Sequence, residues 1–541
     1  MIPVIELYNF KIEGYNSSGK NIEFGNIKET KKNECKLINP KYPIQDDSSY
    51  ITSCDVIYSE QITGEQDGGY SNILSIINLY KKYKSYPAKL NNNSLNSIFN
   101  DYKDEELIDH VYNEISLTKK NMYEYLENNS IDRDNNILNK LKENLNSNED
   151  IVELNFGGYI MNYDCDDQEK NIIFGDFHGS FHTFYRHLLR FHRMGILNAR
   201  TYELKENYNL IFLGDIADRG FYALEIIYTI CRLMNANNSK NKLRVIYNRG
   251  NHEESVTNTN YGLKTEILKK TNNIGLFNLI NSLFLFMSSA VIINNKNRYW
   301  LSHGGIPFLK DDDIKNIDWY QKIIFYESNK YSLGNLIFEI RWNDFANQKK
   351  EPYLNNRPSY NITPPYFKKF MKLSNIKFII RGHQDNFSNF YLLSKLKDND
   401  MLDYVYDLSY ESNLDLLKNN NIFEKNNNTY EYSDKIKAFY GCLGRIKINN
   451  FIKNKLVYPI MTVSTNTDNG RELTSDSFII LRFDLDEKNI NNFDNNIIDS
   501  RKKMLKLDFI QNGKGLNNID NINYKNKYYK YKNKYLKLKL L

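Results

Sequence analysis

The chain has 541 residues, of which 41% are hydrophobic and 26% charged, as in a globular protein of roughly two to four units at about one domain per 150 residues. The net charge is +6, but the last eighteen residues, Tyr524–Leu541, hold seven lysines and no acid; the near-neutral remainder has no basic field for phosphate backbones, so no nucleic-acid partner is expected. Five scattered cysteines without a CxxC pair argue against a disulfide framework or cysteine-rich zinc site, and no run reaches the roughly 18 apolar residues of a membrane span, so a reducing, intracellular, cytoplasmic setting is expected.

In chain order, residues 1–169 form an N-terminal region of short apolar segments and polar loops, with a Gly-rich turn at Gly64–Gly69 and a helical stripe at Leu107, Val111 and Ile115. No chemistry emerges there. From 170 to 484, strand-like runs recur, each followed by a turn bearing Gly, Asp, Asn or His. Residues 485–523 are an Asn-rich linker. In the basic tail, 524–541, Tyr524, Tyr528, Tyr531, Tyr535 and Leu538 follow a heptad step, which leaves two readings, a solvated lysine-rich or disordered end and an amphipathic helix for self-association or docking. The tail resembles the C-terminal Tyr/Lys repeats of giant DNA virus proteins, which implies a viral origin.

Five apolar runs predict buried strands: Ile172–Phe174, Leu210–Leu213, Leu243–Ile246, Tyr299–Leu301 and Phe378–Ile380. Directly after them stand Gly175-Asp176-Phe177-His178-Gly179, Gly214-Asp215-Ile216-Ala217-Asp218-Arg219-Gly220, Asn248-Arg249-Gly250-Asn251-His252-Glu253, His303-Gly304-Gly305 and Arg381-Gly382-His383. In open α/β architectures the C-terminal ends of strands line one crevice, so these turns are expected to converge. Asp, His and Asn without thiolates suit Mn, Fe, Zn or Mg. Residues two apart on an extended segment share a side, so Asp176 and His178 can reach one ion and Asp215 can bridge to a second. Adjacent residues face oppositely, which lets Asn251 ligate while His252 turns to substrate.

The ordered set GDFHG, GDIADRG, RGNHE, HGG and RGHQ resembles the phosphoprotein phosphatase family of the calcineurin-like metallophosphoesterases, over residues 171–483. The resemblance implies a four-layer α/β/β/α sandwich with an N-terminal extension, and a serine/threonine protein phosphatase in which a metal-bound hydroxide attacks a phosphate monoester. It implies two divalent ions, Mn foremost with Fe, Zn or Mg as others, and a phosphoprotein or phosphopeptide substrate. By the same resemblance Asp176, His178, Asp215, Asn251, His303 and His383 match metal ligands. His252 matches the acid that protonates the leaving oxygen, Asp218 its orienting partner and Arg219 a phosphate clamp. Arg357 is the second clamp expected after Trp342-Asn343-Asp344-Phe345, with Arg341 its rival. The chain departs from the family at Thr462–Asp468, where the Ser-Ala-Pro-Asn-Tyr loop is replaced, and at Lys205–Asn209, read as an enlarged loop. The alternatives are a nucleotide phosphoesterase like the diadenosine tetraphosphate hydrolases and an inactive scaffold.

Overall fold

The computed structural model describes residues 2–11, 23–31, 34–43, 76, 105–131, 135–146, 156–327, 336–346, 351–354, 359–384, 389–394, 405–408, 411–425, 440–454, 456–465, 475–486 and 490. Arg357, Asn466–Asp468 and the tail 524–541 lie outside them.

The short apolar runs form strands, but of two sheets rather than one open sheet. Lys170–Phe174, Tyr208–Phe212 and Val245–Tyr247 pair in parallel at one edge of a seven-stranded sheet. Arg298–Ser302 and Ile376–Arg381 pair in parallel within an eight-stranded sheet. The first group is buried on both faces, which is why it reads as continuous apolar sequence rather than alternation. Each fully buried Ile or Phe of these runs contributes about 1.5–3 kcal/mol relative to exposure. The single-crevice layout therefore gives way to a sandwich, as the family resemblance implied.

The two sheets face each other. Tyr299 of the eight-stranded sheet packs on Phe483 of the seven-stranded one, with ring centroids 5.3 Å apart. The period of two along a strand then sorts side chains. Tyr299 and Leu301 join the core between the sheets, whereas Trp300 turns outward to a second core with Phe370 and Trp319. Helix Pro364–Ser374 supplies Phe370 and covers that outer face.

On the other side, helix Phe181–Arg193 places Phe184, Leu188 and Phe191 against the seven-stranded sheet, and Phe191 meets Phe478 edge-on at 5.1 Å. Helix Ala223–Asn237 is buried along most of its length because helix Glu105–Asn129 packs over it. The Leu107, Val111 and Ile115 stripe is the buried face of that covering helix, and Asn235 donates to Glu114 Oε2 across the seam at 2.9 Å.

The N-terminal segment is woven into the same architecture. Strand Ile2–Lys11 lies between Tyr440–Lys447 and Ser475–Leu485, antiparallel to both. Its Glu6 is buried and accepts from Arg445 Nε at 2.7 Å and Arg482 Nη1 at 3.1 Å. An apolar strand read as a loop-rich extension thus fills the middle of a sheet.

Candidate metal centre

At the ends of the strands the backbone leaves the extended region. His178, Asp215, Asp218, Arg219 and His383 have φ of 47°, 53°, 68°, 65° and 67°. Non-glycine residues avoid this left-handed conformation, which costs on the order of 1–3 kcal/mol each and persists only where surroundings enforce it. The turn, not strand alternation, brings His178 beside Asp176, so the extended geometry expected for that pair is corrected. Asn251–Glu253 is likewise one turn of 3-10 helix rather than extended chain. Glycine is required at the crossing of two such turns: a Cβ on Gly250 would lie 2.2 Å from Asp215 Oδ1.

These turns bring together nine of the ten residues singled out from the sequence. Asp215 Oδ2 stands in the middle, 3.5 Å from His178 Nε2 and 3.1 Å from His303 Nε2. His178 Nδ1 is 3.0 Å from the Ala217 carbonyl, to which only a protonated nitrogen can bond. Burial and the Arg219 guanidinium hold the His178 pKa well below its ordinary value. The ring is therefore neutral and Nε2 presents a lone pair toward Asp215. Asp176 flanks both groups, with Oδ2 3.9 Å from His178 Nε2 and Oδ1 3.7 Å from His303 Nδ1.

Around His303 Nε2 crowd Asp215 Oδ2, Asn251 Oδ1 at 2.9 Å and His383 Nδ1 at 3.1 Å. Asn251 Oδ1 is also 3.0 Å from His383 Nδ1. His303 Nε2 can carry at most one proton, which cannot satisfy three neighbours. A surplus of buried lone pairs over protons is what a cation would neutralise, and oxygen and nitrogen donors without sulfur fit a hard or borderline divalent ion. Among the described residues two groups offer such a position: Asp215 with His303 and His383, and Asp215 with His178, where Asp176 Oδ2 stands 3.9 Å from His178 Nε2 and the His252 imidazole lies alongside. The residues present fit two cations sharing Asp215.

His252 stands buried beside Asp215. Its Nδ1 donates to Asp218 Oδ2 at 2.7 Å, leaving Nε2 3.3 Å from Arg219 Nη2 and 3.9 Å from Asp215 Oδ2. Burial disfavours the imidazolium, but the Asp215 carboxylate and the Asp218 hydrogen bond outweigh it and raise the His252 pKa. Asp218 Oδ1 accepts from Leu263 N at 2.8 Å, so the orienting carboxylate is itself held. Arg219 is exposed, with its backbone N–H donating to Tyr261 O at 3.2 Å.

Glu253, which the sequence placed in the RGNHE motif without a site role, holds these turns together. Its carboxylate accepts from the backbone N–H groups of Asp215 at 2.8 Å, Ile216 at 2.9 Å, Ala217 at 3.2 Å and Gly250 at 2.6 Å, and from Tyr247 OH at 2.9 Å. One side chain thus closes the strained bend at Asp215 onto the turn that carries Asn251. Its place beside His252 was the available signal. Arg341, the rival clamp, is buried and donates through Nε to Glu254 Oε1 at 2.8 Å.

Residues 170–386 match the calcineurin-like phosphoesterase family. The serine/threonine-protein phosphatase PP2A-like PPG1 of Candida albicans is 28% identical over 216 residues, which cover 39% of this chain and 46% of that protein. The serine/threonine-protein phosphatase 4 catalytic subunit of Saccharomyces cerevisiae is 26% identical over 215 residues, 39% of this chain and 61% of that one. A solved protein serine/threonine phosphatase from Saccharomyces cerevisiae aligns at 20% identity over 52% of this chain and 73% of its own, with a TM-score of 0.36. The matches span 42% to 68% of the length of these curated relatives. All six candidate ligands, from Asp176 to His383, fall inside the stretch that matches the calcineurin-like phosphoesterases and stand at the ends of its strands.

Proposed function

We propose that the chain is a metal-dependent phosphatase that hydrolyses phosphate monoesters on serine or threonine side chains of proteins. The observation that carries this reading is Asp215 Oδ2 set between His178 Nε2 and His303 Nε2, with Asn251 and His383 completing the second group. Divalent ions held there, manganese foremost, would supply Lewis acidity that activates water and neutralises phosphate oxygens.

The remaining steps belong to side chains of this protein. Asp218 holds the proton on His252 Nδ1 and so sets the ring orientation; Nε2, 3.9 Å from Asp215 Oδ2 and beside Arg219, would carry the proton given to the leaving oxygen. Arg219 is exposed beside that nitrogen and would pair with phosphate oxygens, more strongly as charge grows in the transition state. Arg357 is proposed as the second phosphate contact, because Arg341 is engaged with Glu254.

The similarity to proteins named as serine/threonine phosphatases favours a phosphoprotein over a dinucleotide substrate. Metal analysis, followed by parallel turnover assays on an aryl phosphate, a phosphoserine peptide and diadenosine tetraphosphate, tests the reading. Metal-dependent turnover greatest on the peptide supports it. Preference for the dinucleotide would replace the substrate class, and absence of bound metal and turnover would remove the activity.

A further inference from the structure

We propose that Glu254 is a positioning residue for the second cation: its carboxylate ties together the three turns that carry Asn251, His303 and His383. The inference rests on the two-cation reading and adds a residue to it.

Glu254 follows the Asn251–Glu253 turn directly, so its backbone continues the segment that presents Asn251. Its Oε1 accepts two bonds from the end of helix Leu336–Trp342: from Arg341 Nε at 2.8 Å and from Trp342 Nε1 at 3.0 Å. Both donors lead to a ligand. The helix end is packed on the turn after His303, where Gly304 N donates to Ile340 O at 3.0 Å and a Cβ on Gly304 would lie 2.5 Å from the Arg341 carbonyl carbon. The Trp342 indole meets the His383 imidazole edge-on, with centroids 6.2 Å apart. One carboxylate oxygen therefore spans the Asn251 turn, the His303 turn and the wall against which the His383 ring rests. The first cation's outer ligands, Asp176 and His178, have no such link to Glu254 among these bonds.

Groups that orient metal ligands from behind typically change metal affinity by about 10–100-fold when removed. A charge-assisted bond to a guanidinium that is 7% exposed is also stronger than a surface pair. Glu254→Ala should thus weaken the second binding event selectively. Glu254→Gln keeps an acceptor oxygen for both donors and should restore most of it. Trp342→Phe keeps an aromatic side chain near His383 while deleting the indole N–H together with part of the ring, and should fall between the two.

The test is calorimetric titration of the metal-stripped full chain with Mn2+, with stoichiometry by elemental analysis and a thermal melt of each metal-free variant. We expect two binding events in the parent chain, a second event weakened about tenfold or more in Glu254→Ala, recovery in Glu254→Gln and an unchanged first event. Two events with parental affinities in Glu254→Ala would overturn the proposal, as would equal weakening of both events together with a lowered melt. If Glu254→Ala fails to fold, an unaltered second event in Trp342→Phe overturns it equally. A parent chain that binds no second ion removes the two-cation reading itself, and that outcome is visible before any variant is made.

Discussion

His252 Nδ1 lies 2.7 Å from Asp218 Oδ2, with both side chains buried. This pair makes His252 easier to protonate, and the consequences separate its two members. Removing the imidazole in His252→Ala should lower turnover about 10²-fold or more on poor leaving groups, and less on an activated aryl phosphate, with metal content intact. Asp218→Asn removes a charge that raises the His252 pKa. An acid acts only while protonated, so the alkaline limb of the kcat/KM profile should move to lower pH. An unmoved limb would mean that His252 is not the proton donor.

The central carboxylate should be indispensable to both cations. Asp215→Asn retains the shape but weakens the charge shared by His178 and His303, and His303→Ala removes a nitrogen that meets Asp215, Asn251 and His383. Both substitutions should abolish metal-dependent hydrolysis, with elemental analysis showing less bound metal. Full activity with one ion entirely lost would exclude a two-ion mechanism.

Glu253 should matter more for stability than any ligand. Glu253→Ala leaves four buried backbone N–H groups without their acceptor, and each unsatisfied group costs about 1–3 kcal/mol. Water entering the space recovers part of this, so a loss of roughly 3 kcal/mol or more is expected in urea unfolding. A change below about 1 kcal/mol would show that the bend at Asp215 is held by other means.

Away from the centre, Glu339 links stability to pH. Burial pushes its pKa up to about 7, although bonds from Phe308 N and Asn343 oppose the rise. The folded state therefore holds this proton more tightly than the unfolded state. Its contribution is fully present below about pH 4.5 and is lost as pH rises toward 7. At about 1.4 kcal/mol per pH interval, the loss is roughly 3 kcal/mol. Glu339→Gln keeps an acceptor for Phe308 N and should be more stable than the parent at pH 8, with the gain shrinking toward pH 5. Parallel stability curves for the two proteins across that range would contradict the assignment.

Much of the centre was legible in one dimension because its signals are local. An apolar run followed at once by Gly-Asp or Gly-His records a buried strand ending in a polar turn, and both depend on a few neighbouring residues. Asp176, His178, Asp215, Asn251, His303 and His383 could therefore be named before any fold was known. The stripe Leu107, Val111 and Ile115 was readable as a helix for the same reason.

Folding in three dimensions settled what such local signals do not contain. The assignment of Lys170–Phe174 and Arg298–Ser302 to different sheets depends on which faces can be buried together. The pairing of Ile2–Lys11 with Ser475–Leu485 joins the two ends of the described chain, which periodicity within a strand does not encode. The left-handed turns at His178 and Asp215 oppose the conformational preference of those residues and exist because Glu253 and the surrounding backbone hold them. Glu254 reads as one more surface acid until the fold sets Arg341 and Trp342 against it. Residue type and order name the chemistry, because each ligand's donor atom is its own. Geometry is a property of the packed whole, because each donor's position is set by contacts far away in the chain.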